Sequence, residues 1–154
     1  MSKPKVLIIM GSGSDMEVMQ KAVDLLKDFG IVSRVEVASA HRTPQKVLSL
    51  VKSAEKDCDA IIAGAGMAAH LPGVVAAYTV LPVIGVPLES KALAGFDALY
   101  SIVQMPPGVP VACVAIGGAK NAAILAAQIL SLKYPQIKSQ LKKLKQEMAK
   151  GKKI

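Results

Sequence analysis

Short apolar runs ending in glycine, proline or small polar residues alternate along this chain with longer amphipathic segments. No other feature restricts the possible folds as much. The run KVLIIM at 5–10 is β-branched, too short for a buried helix and closed by Gly11, so it reads as a buried strand. Residues 17–29 put Val18, Met19, Ala22, Val23, Leu25, Leu26 and Phe29 on one helical stripe, with Gly30 as the C-cap. Further strands are expected at 32–38, 60–63, 82–86 and 109–116. Helices are expected at 44–56, 71–78, 92–103, 121–132 and 135–150. The helix at 44–56 opens with Thr43 as N-cap and Pro44 in the first helical position. The helix at 121–132 is apolar nearly all round and should be buried. Strands that alternate with helices pair in parallel through right-handed crossovers. The expected fold is therefore α/β: a three-layer α/β/α sandwich around a five-stranded parallel sheet, flavodoxin- or Rossmann-like, plus a C-terminal helix. A length of 154 residues suits one domain over 1–154, with its core at 5–132 and a basic helix at 133–154.

Composition removes several function classes. A 52% hydrophobic content and a mean hydropathy of +0.42 exclude a disordered chain. With 3% aromatic residues and no Trp, aromatic platforms for stacking bases are missing, and no nucleic-acid partner is expected. The net charge of +8 is confined to one end. Residues 1–131 carry 11 Lys and Arg against 10 Asp and Glu, whereas residues 132–154 carry eight Lys and one Glu. That tail reads as a solvated helix with a frayed end, contact with anions or a membrane surface being the alternative. The uncharged stretch 60–88 is long enough to span a bilayer, but His70, Pro72, Pro82, Pro87 and several glycines divide it into strand, loop and helix. No membrane partner is expected, and without a signal-peptide pattern the expected location is cytoplasmic. Cys58 and Cys113 have no CxxC or Cys/His spacing and read as reduced, inert core residues.

In parallel α/β sheets ligands sit beyond the carboxyl ends of the strands, so chemistry is sought in the loops that leave them. After the first strand comes Gly11-Ser12-Gly13-Ser14-Asp15. Its glycines, two hydroxyls and following helix N-terminus suit a phosphate, although the loop is neither a GxGxxG nor a P-loop. Asp15 is either a helix cap or a ligand for sugar hydroxyls. After the second strand comes Ser39-Ala40-His41-Arg42-Thr43-Pro44. Arg42 beside a helix start is suited to clamp a phosphate, and an imidazole such as His41, with an ordinary pKa of about 6.5, suits proton transfer. An incidental His-Arg pair on a surface loop is the alternative. After the third strand comes 64–73, where Ala65 and Gly66 leave room for a flat ligand. Here His70, next to Leu71, either orients a carboxylate, caps the next helix or makes a structural hydrogen bond. Met67 reads as packing. The residues 87–90 after the fourth strand complete this edge. With only two histidines and no HxxxH or HExxH pattern, no catalytic metal is expected.

Four segments occur in order: Gly-Ser-x-Ser-Asp from Gly11, Ser-Ala-His-Arg-Thr-Pro from Ser39, Ala-Gly-x-Ala-Ala-His-Leu-Pro-Gly from Ala65, and Ser-Ile-Val-Gln-Met-Pro-x-Gly-x-Pro-Val-Ala from Ser101. Together, over about residues 5–132, they resemble the class I N5-carboxyaminoimidazole ribonucleotide mutases of the AIR carboxylase family. The resemblance implies an isomerase of de novo purine biosynthesis that works without cofactor. It implies a ribonucleotide substrate made by a separate ATP-dependent carboxylating enzyme, and a homo-octamer. It assigns catalysis to His41 and His70, and puts Gly11, Ala65, Gly66 and Leu71 among the substrate-binding residues, with the Gly64–His70 loop around the carboxylate and base. Ser12 and Asp15 match its nucleotide-binding positions, with Ser14, Ser39 and Arg42 beside them. Apolar faces at 121–132 and on the last helix are expected to serve the assembly. Two departures stand out. Residues 116–121 are shorter than the usual Gly-Lys-Ala-Gly-x-x-Asn, and Met67 replaces a common Gly. Two alternatives compete with the mutase. A class II enzyme carboxylating the aminoimidazole directly usually carries His-Lys rather than His-Arg and lacks Ala-His-Leu-Pro-Gly. A non-catalytic nucleotide sensor on the same scaffold would not need both histidines.

Overall fold

The computed structural model describes residues 3–154. Five strands pair in parallel in the order β2-β1-β3-β4-β5: β1 Lys5–Met10, β2 Val32–Val37, β3 Ala60–Gly66, β4 Val83–Leu88 and β5 Ala112–Cys113. The helices are α1 Met16–Asp28, α2 Pro44–Asp57, α3 Leu71–Ala77, α4 Phe96–Val103, α5 Ala119–Leu130 and α6 Pro135–Ala149. Alternation along β1 explains the layers. Val6, Ile8 and Met10 pack with α1, α5 and α6, while Leu7 and Ile9 pack with α2, α3 and α4. The expected α/β/α sandwich is the observed one. Strand order reverses between β1 and β3, and their exits flank the crevice where such sheets hold ligands.

Element ends differ from expectation for local reasons. β3 and β4 run further than expected, because Gly64, Ala65 and Gly66 keep pairing with Val86, Pro87 and Leu88. The strand expected at 109–116 is reduced to Ala112–Cys113, paired only with Ile84 and Gly85. It is an edge strand, and Pro110 has no N–H to offer a ladder. The helix expected from 92 starts at Phe96, because Ala94 and Gly95 take φ of 50° and 86°. Thr43 occupies the N-cap position of α2 without a capping bond from its side chain. Gly30 does terminate α1, with φ of 68°.

The apolar surface is also placed differently. The alanines of α5 and Leu130 are buried, and α6 seats Ile137 and Leu141 in the same core. These helices do not present the open apolar faces expected for assembly; Met148 on α6 and Leu132, just past α5, are the exposed large apolar residues there. Half of the exposed large apolar residues lie elsewhere, at Tyr78 and Val80 after α3, at Leu93 before α4 and at Phe96, Tyr100 and Val103 on it. Asp59 ties the start of α6 to the sheet: it accepts from the Lys5 amide at 3.0 Å, Lys133 Nζ at 2.9 Å and the Tyr134 hydroxyl at 3.2 Å. Cys58 is buried, and burial pushes its thiol up to about 11. Cys113 is only half-buried, so it is less a core residue than expected, and burial raises its thiol too. Among the described residues no helix is long and apolar enough to cross a membrane.

Candidate active site

The loops leaving β1, β2, β3 and β4 surround one cleft of about 660 Å³. The first loop is a single 3-10 turn, Gly13–Asp15, held by a reciprocal cap. Asp15 Oδ2 accepts the Ser12 amide at 3.0 Å, while Ser12 Oγ accepts the Ser14 amide at 3.4 Å and the Ser14 hydroxyl at 2.9 Å. Asp15 thus caps the turn and lines the cleft at once, so its two readings are compatible. Burial pushes its carboxyl above the ordinary range, against the Ser12 amide and the Arg42 guanidinium, which both pull it down.

The second loop is closed by Thr43. Its Oγ1 accepts the Ser39 amide at 2.9 Å and donates to the Ser39 carbonyl at 3.1 Å, which is where the hydroxyl expected to cap α2 is used. Ser39 Oγ accepts the Arg42 amide at 3.2 Å. The side chains of His41 and Arg42 are left exposed at the cleft. Arg42 Nη2 donates to the Gly11 carbonyl at 3.0 Å and so joins the first two loops. A guanidinium has five N–H groups, so most remain for an anion.

The third loop turns tightly because Gly66 lies against β4. A Cβ there would sit 3.3 Å from the Leu88 carbonyl oxygen. Met67 follows with φ of 56° and is exposed, so it does not pack in the core as expected. His70 occupies the N-cap position of α3, but its side chain makes no capping bond. It faces His41 instead: His41 Nε2 lies 2.6 Å from His70 Nδ1, with the rings edge-on at 76°. One nitrogen donates and the other accepts, so a proton on either ring is shared with the other.

All eleven residues singled out from the sequence line this cleft: Gly11, Ser12, Ser14 and Asp15; Ser39, His41 and Arg42; Ala65, Gly66, His70 and Leu71. Glu89 and Ser90 line it as well and were not singled out, although they stand at the exit of β4, on the edge where ligands were sought. Ser90 Oγ donates to Asp97 Oδ2 at 3.3 Å. A second cavity, about 590 Å³, lies near the amino ends of β1 and β2, between Lys3, Lys27 and Tyr134, and contains none of these residues. Among the described residues no group of three or more His, Cys, Asp or Glu is placed to hold a metal ion.

The family described as AIR carboxylase matches residues 5–151. The chain belongs to the AIR carboxylase family. The match extends past the sequence motifs to include α6. The chain is 60% identical over 146 residues to the N5-carboxyaminoimidazole ribonucleotide mutase of Pyrococcus abyssi, covering 94% of this chain and 84% of that protein. It is 57% identical over 130 residues to the Escherichia coli protein of the same name, covering 82% and 77%. The crystal structure of Treponema denticola PurE superposes with a TM-score of 0.88 at 36% identity, covering 96% of this chain and 93% of that one. This chain therefore shares its parallel-sheet α/β fold with that structure over nearly all of its length.

Proposed function

We propose that this member of the family is an isomerase converting N5-carboxyaminoimidazole ribonucleotide to 4-carboxy-5-aminoimidazole ribonucleotide in de novo purine (IMP) biosynthesis. The observation that carries the reading is the 2.6 Å contact between His41 and His70 inside a cleft otherwise lined by hydroxyls, a guanidinium and small residues. Isomerisation breaks the carbamate N–C bond, and the amine nitrogen gains a proton as carbon dioxide leaves. The electron-rich ring carbon then bonds to carbon dioxide and loses its own proton. Nothing is consumed, and protons move only between the amine nitrogen and the ring carbon. One imidazole serves both transfers, a role we give to His41, with His70 holding its ring and sharing its proton. The protein confines carbon dioxide beside the ring and keeps water out.

Arg42, Ser12, Ser14 and Ser39 take the phosphate, and Asp15 takes the ribose hydroxyls. The backbone and small side chains of Gly11, Ala65 and Gly66, with Leu71 beneath, flank the base and carboxylate. On this reading Arg42→Ala weakens ribonucleotide binding by about 1.5–3 kcal/mol, roughly 10- to 150-fold in Kd. Binding of the dephosphorylated nucleoside changes far less. Calorimetric titration of both ligands checks this, and equal losses would remove Arg42 from the phosphate.

The reading needs neither metal nor nucleotide triphosphate during turnover, because carbamates lose carbon dioxide readily and the receiving carbon is already nucleophilic. Purified protein given the carbamate ribonucleotide, excess EDTA and no ATP is expected to form the carbon-carboxylated product at its full rate. Loss of that product on chelation, or formation of the free amine alone, would overturn the reading. A separate ATP-dependent carboxylating enzyme supplies the carbamate, and this chain acts on it in the cytoplasm as a single catalytic domain.

Assembly belongs to the same reading. Val80 at 95% exposure, with Tyr78, Leu93, Phe96, Tyr100 and Val103, is more open apolar surface than an isolated chain favours. Sedimentation is expected to give a large homo-oligomer, an octamer. A monomer at micromolar concentration would contradict this.

A further inference from the structure

We propose that Thr43 is a positioning residue that couples the substrate's phosphate to proton transfer at His41. The inference rests on the mutase reading above and gives the phosphate a part in the reaction as well as in binding. A threonine at the start of a helix ordinarily spends its hydroxyl on the first free amides of that helix. Thr43 does not: α2 has no side-chain cap. The hydroxyl turns back across the loop instead. It accepts the Ser39 amide at 2.9 Å and donates to the Ser39 carbonyl at 3.1 Å, and the Thr43 amide donates to that carbonyl at 2.9 Å. His41 is enclosed between these two tied ends. The loop is also rooted at both sides, since Ala38 and Val47 are buried and the Ala38 amide donates to the Met10 carbonyl at 2.9 Å.

The tied turn carries the groups given to the phosphate. Ser39 Oγ accepts the Arg42 amide at 3.2 Å, which leaves its own proton to donate, and Arg42 supplies the guanidinium. A phosphate bonded to Ser39 and Arg42 therefore grips the residues on either side of Ala40 and His41. The turn is braced from outside as well. Arg42 Nη2 donates to the Gly11 carbonyl at 3.0 Å, and the Gly11 amide donates to the Gly64 carbonyl at 3.3 Å, on the strand whose exit leads to His70. The proton shared at 2.6 Å between His41 Nε2 and His70 Nδ1 depends steeply on distance and angle. A turn free to shift by about 1 Å would still bind the phosphate but would lose that alignment, at up to about 10²-fold in rate. Binding energy realised only when the reacting groups are aligned raises kcat and leaves KM unchanged.

The test compares the carbamate ribonucleotide with the carbamate nucleoside, the latter with and without inorganic phosphate, corrected for spontaneous loss of carbon dioxide. With wild-type protein, inorganic phosphate is expected to raise formation of the carbon-carboxylated nucleoside about tenfold or more, because it grips both ends of the turn without being part of the substrate. Thr43→Val keeps the shape of the side chain and removes the hydroxyl. It is expected to lower kcat for the ribonucleotide about 10- to 100-fold with KM within about threefold of wild type, and to lose the activation by phosphate. Thr43→Ser is expected to restore both. Absence of phosphate activation in wild-type protein would overturn the proposal whatever the variants do. So would a wild-type kcat in Thr43→Val, or a rise in KM alone, which would make Thr43 part of the phosphate pocket only. If wild-type protein yields no carboxylated product from the ribonucleotide, the mutase reading itself fails.

Discussion

His41→Asn is expected to remove turnover, lowering kcat by about 10²- to 10⁴-fold or more, while ribonucleotide binding stays close to that of wild type. An amide cannot accept and return a proton as an imidazole does. Asparagine is also too short to keep the 2.6 Å contact with His70 Nδ1. The effect belongs at the upper end if, as proposed, one group serves two transfers, to the amine nitrogen and from the ring carbon. Binding survives because the groups given to phosphate and ribose are held independently of His41. Ser12 and Asp15 cap one another, and Ser39 is fixed by Thr43. Single-turnover rates with calorimetric Kd values separate the two effects. A wild-type rate would exclude His41 from proton transfer.

The largest effect on stability is expected from Gly85→Val. Gly85 lies in the buried strand β4, paired with Ala63 on β3 and Cys113 on β5. A Cβ there would overlap Ile102 Cγ2 of α4, sit 3.0 Å from Val111 Cγ1 and touch Pro72 Cβ at 3.4 Å. Ile102 is fully buried and β-branched, so it cannot swing aside, and α4 must lift from the sheet. Overpacking of this kind costs about 3 kcal/mol, a fall in Tm of roughly 6–12 °C for a chain of this length. Gly64 is a useful contrast. A Cβ there meets Met19 Sδ at 2.6 Å, but a thioether is unbranched and yields more easily. Melting curves should therefore show Gly85→Ala losing more than Gly64→Ala, and the reverse order would contradict this packing.

The readable parts of the sequence were those where one local signal acts alone. KVLIIM is apolar on both faces because β1 lies between two helical layers, and the helix-period stripe of α1 ends at a glycine that takes positive φ. The four strand exits could be searched because a parallel sheet puts its ligands there. Misplaced ends came from competing signals. Gly64–Gly66 and Pro87 look like loop residues, yet pairing between β3 and β4 holds them in the sheet. The run 109–116 is apolar enough for a strand, but an edge position and Pro110 leave two paired residues. At the site, residue types were legible and their contacts were not. His41 and His70 are 29 residues apart, and only the neighbouring exits of β2 and β3 around β1 bring their rings together. Glu89 belongs to no motif, and its place at the cleft follows only from the exit of β4.

The central claim is that this cleft moves a carboxylate within one ribonucleotide and does not fix carbon dioxide from solution. The direct measurement compares initial rates of carbon-carboxylated product from two substrates at equal enzyme: the carbamate ribonucleotide, and the uncarboxylated aminoimidazole ribonucleotide with physiological bicarbonate. The account predicts a much faster rate from the carbamate, because its carbon dioxide is released beside the ring carbon that takes it up. A faster rate from the uncarboxylated ribonucleotide would contradict the account and make the protein a direct carboxylase.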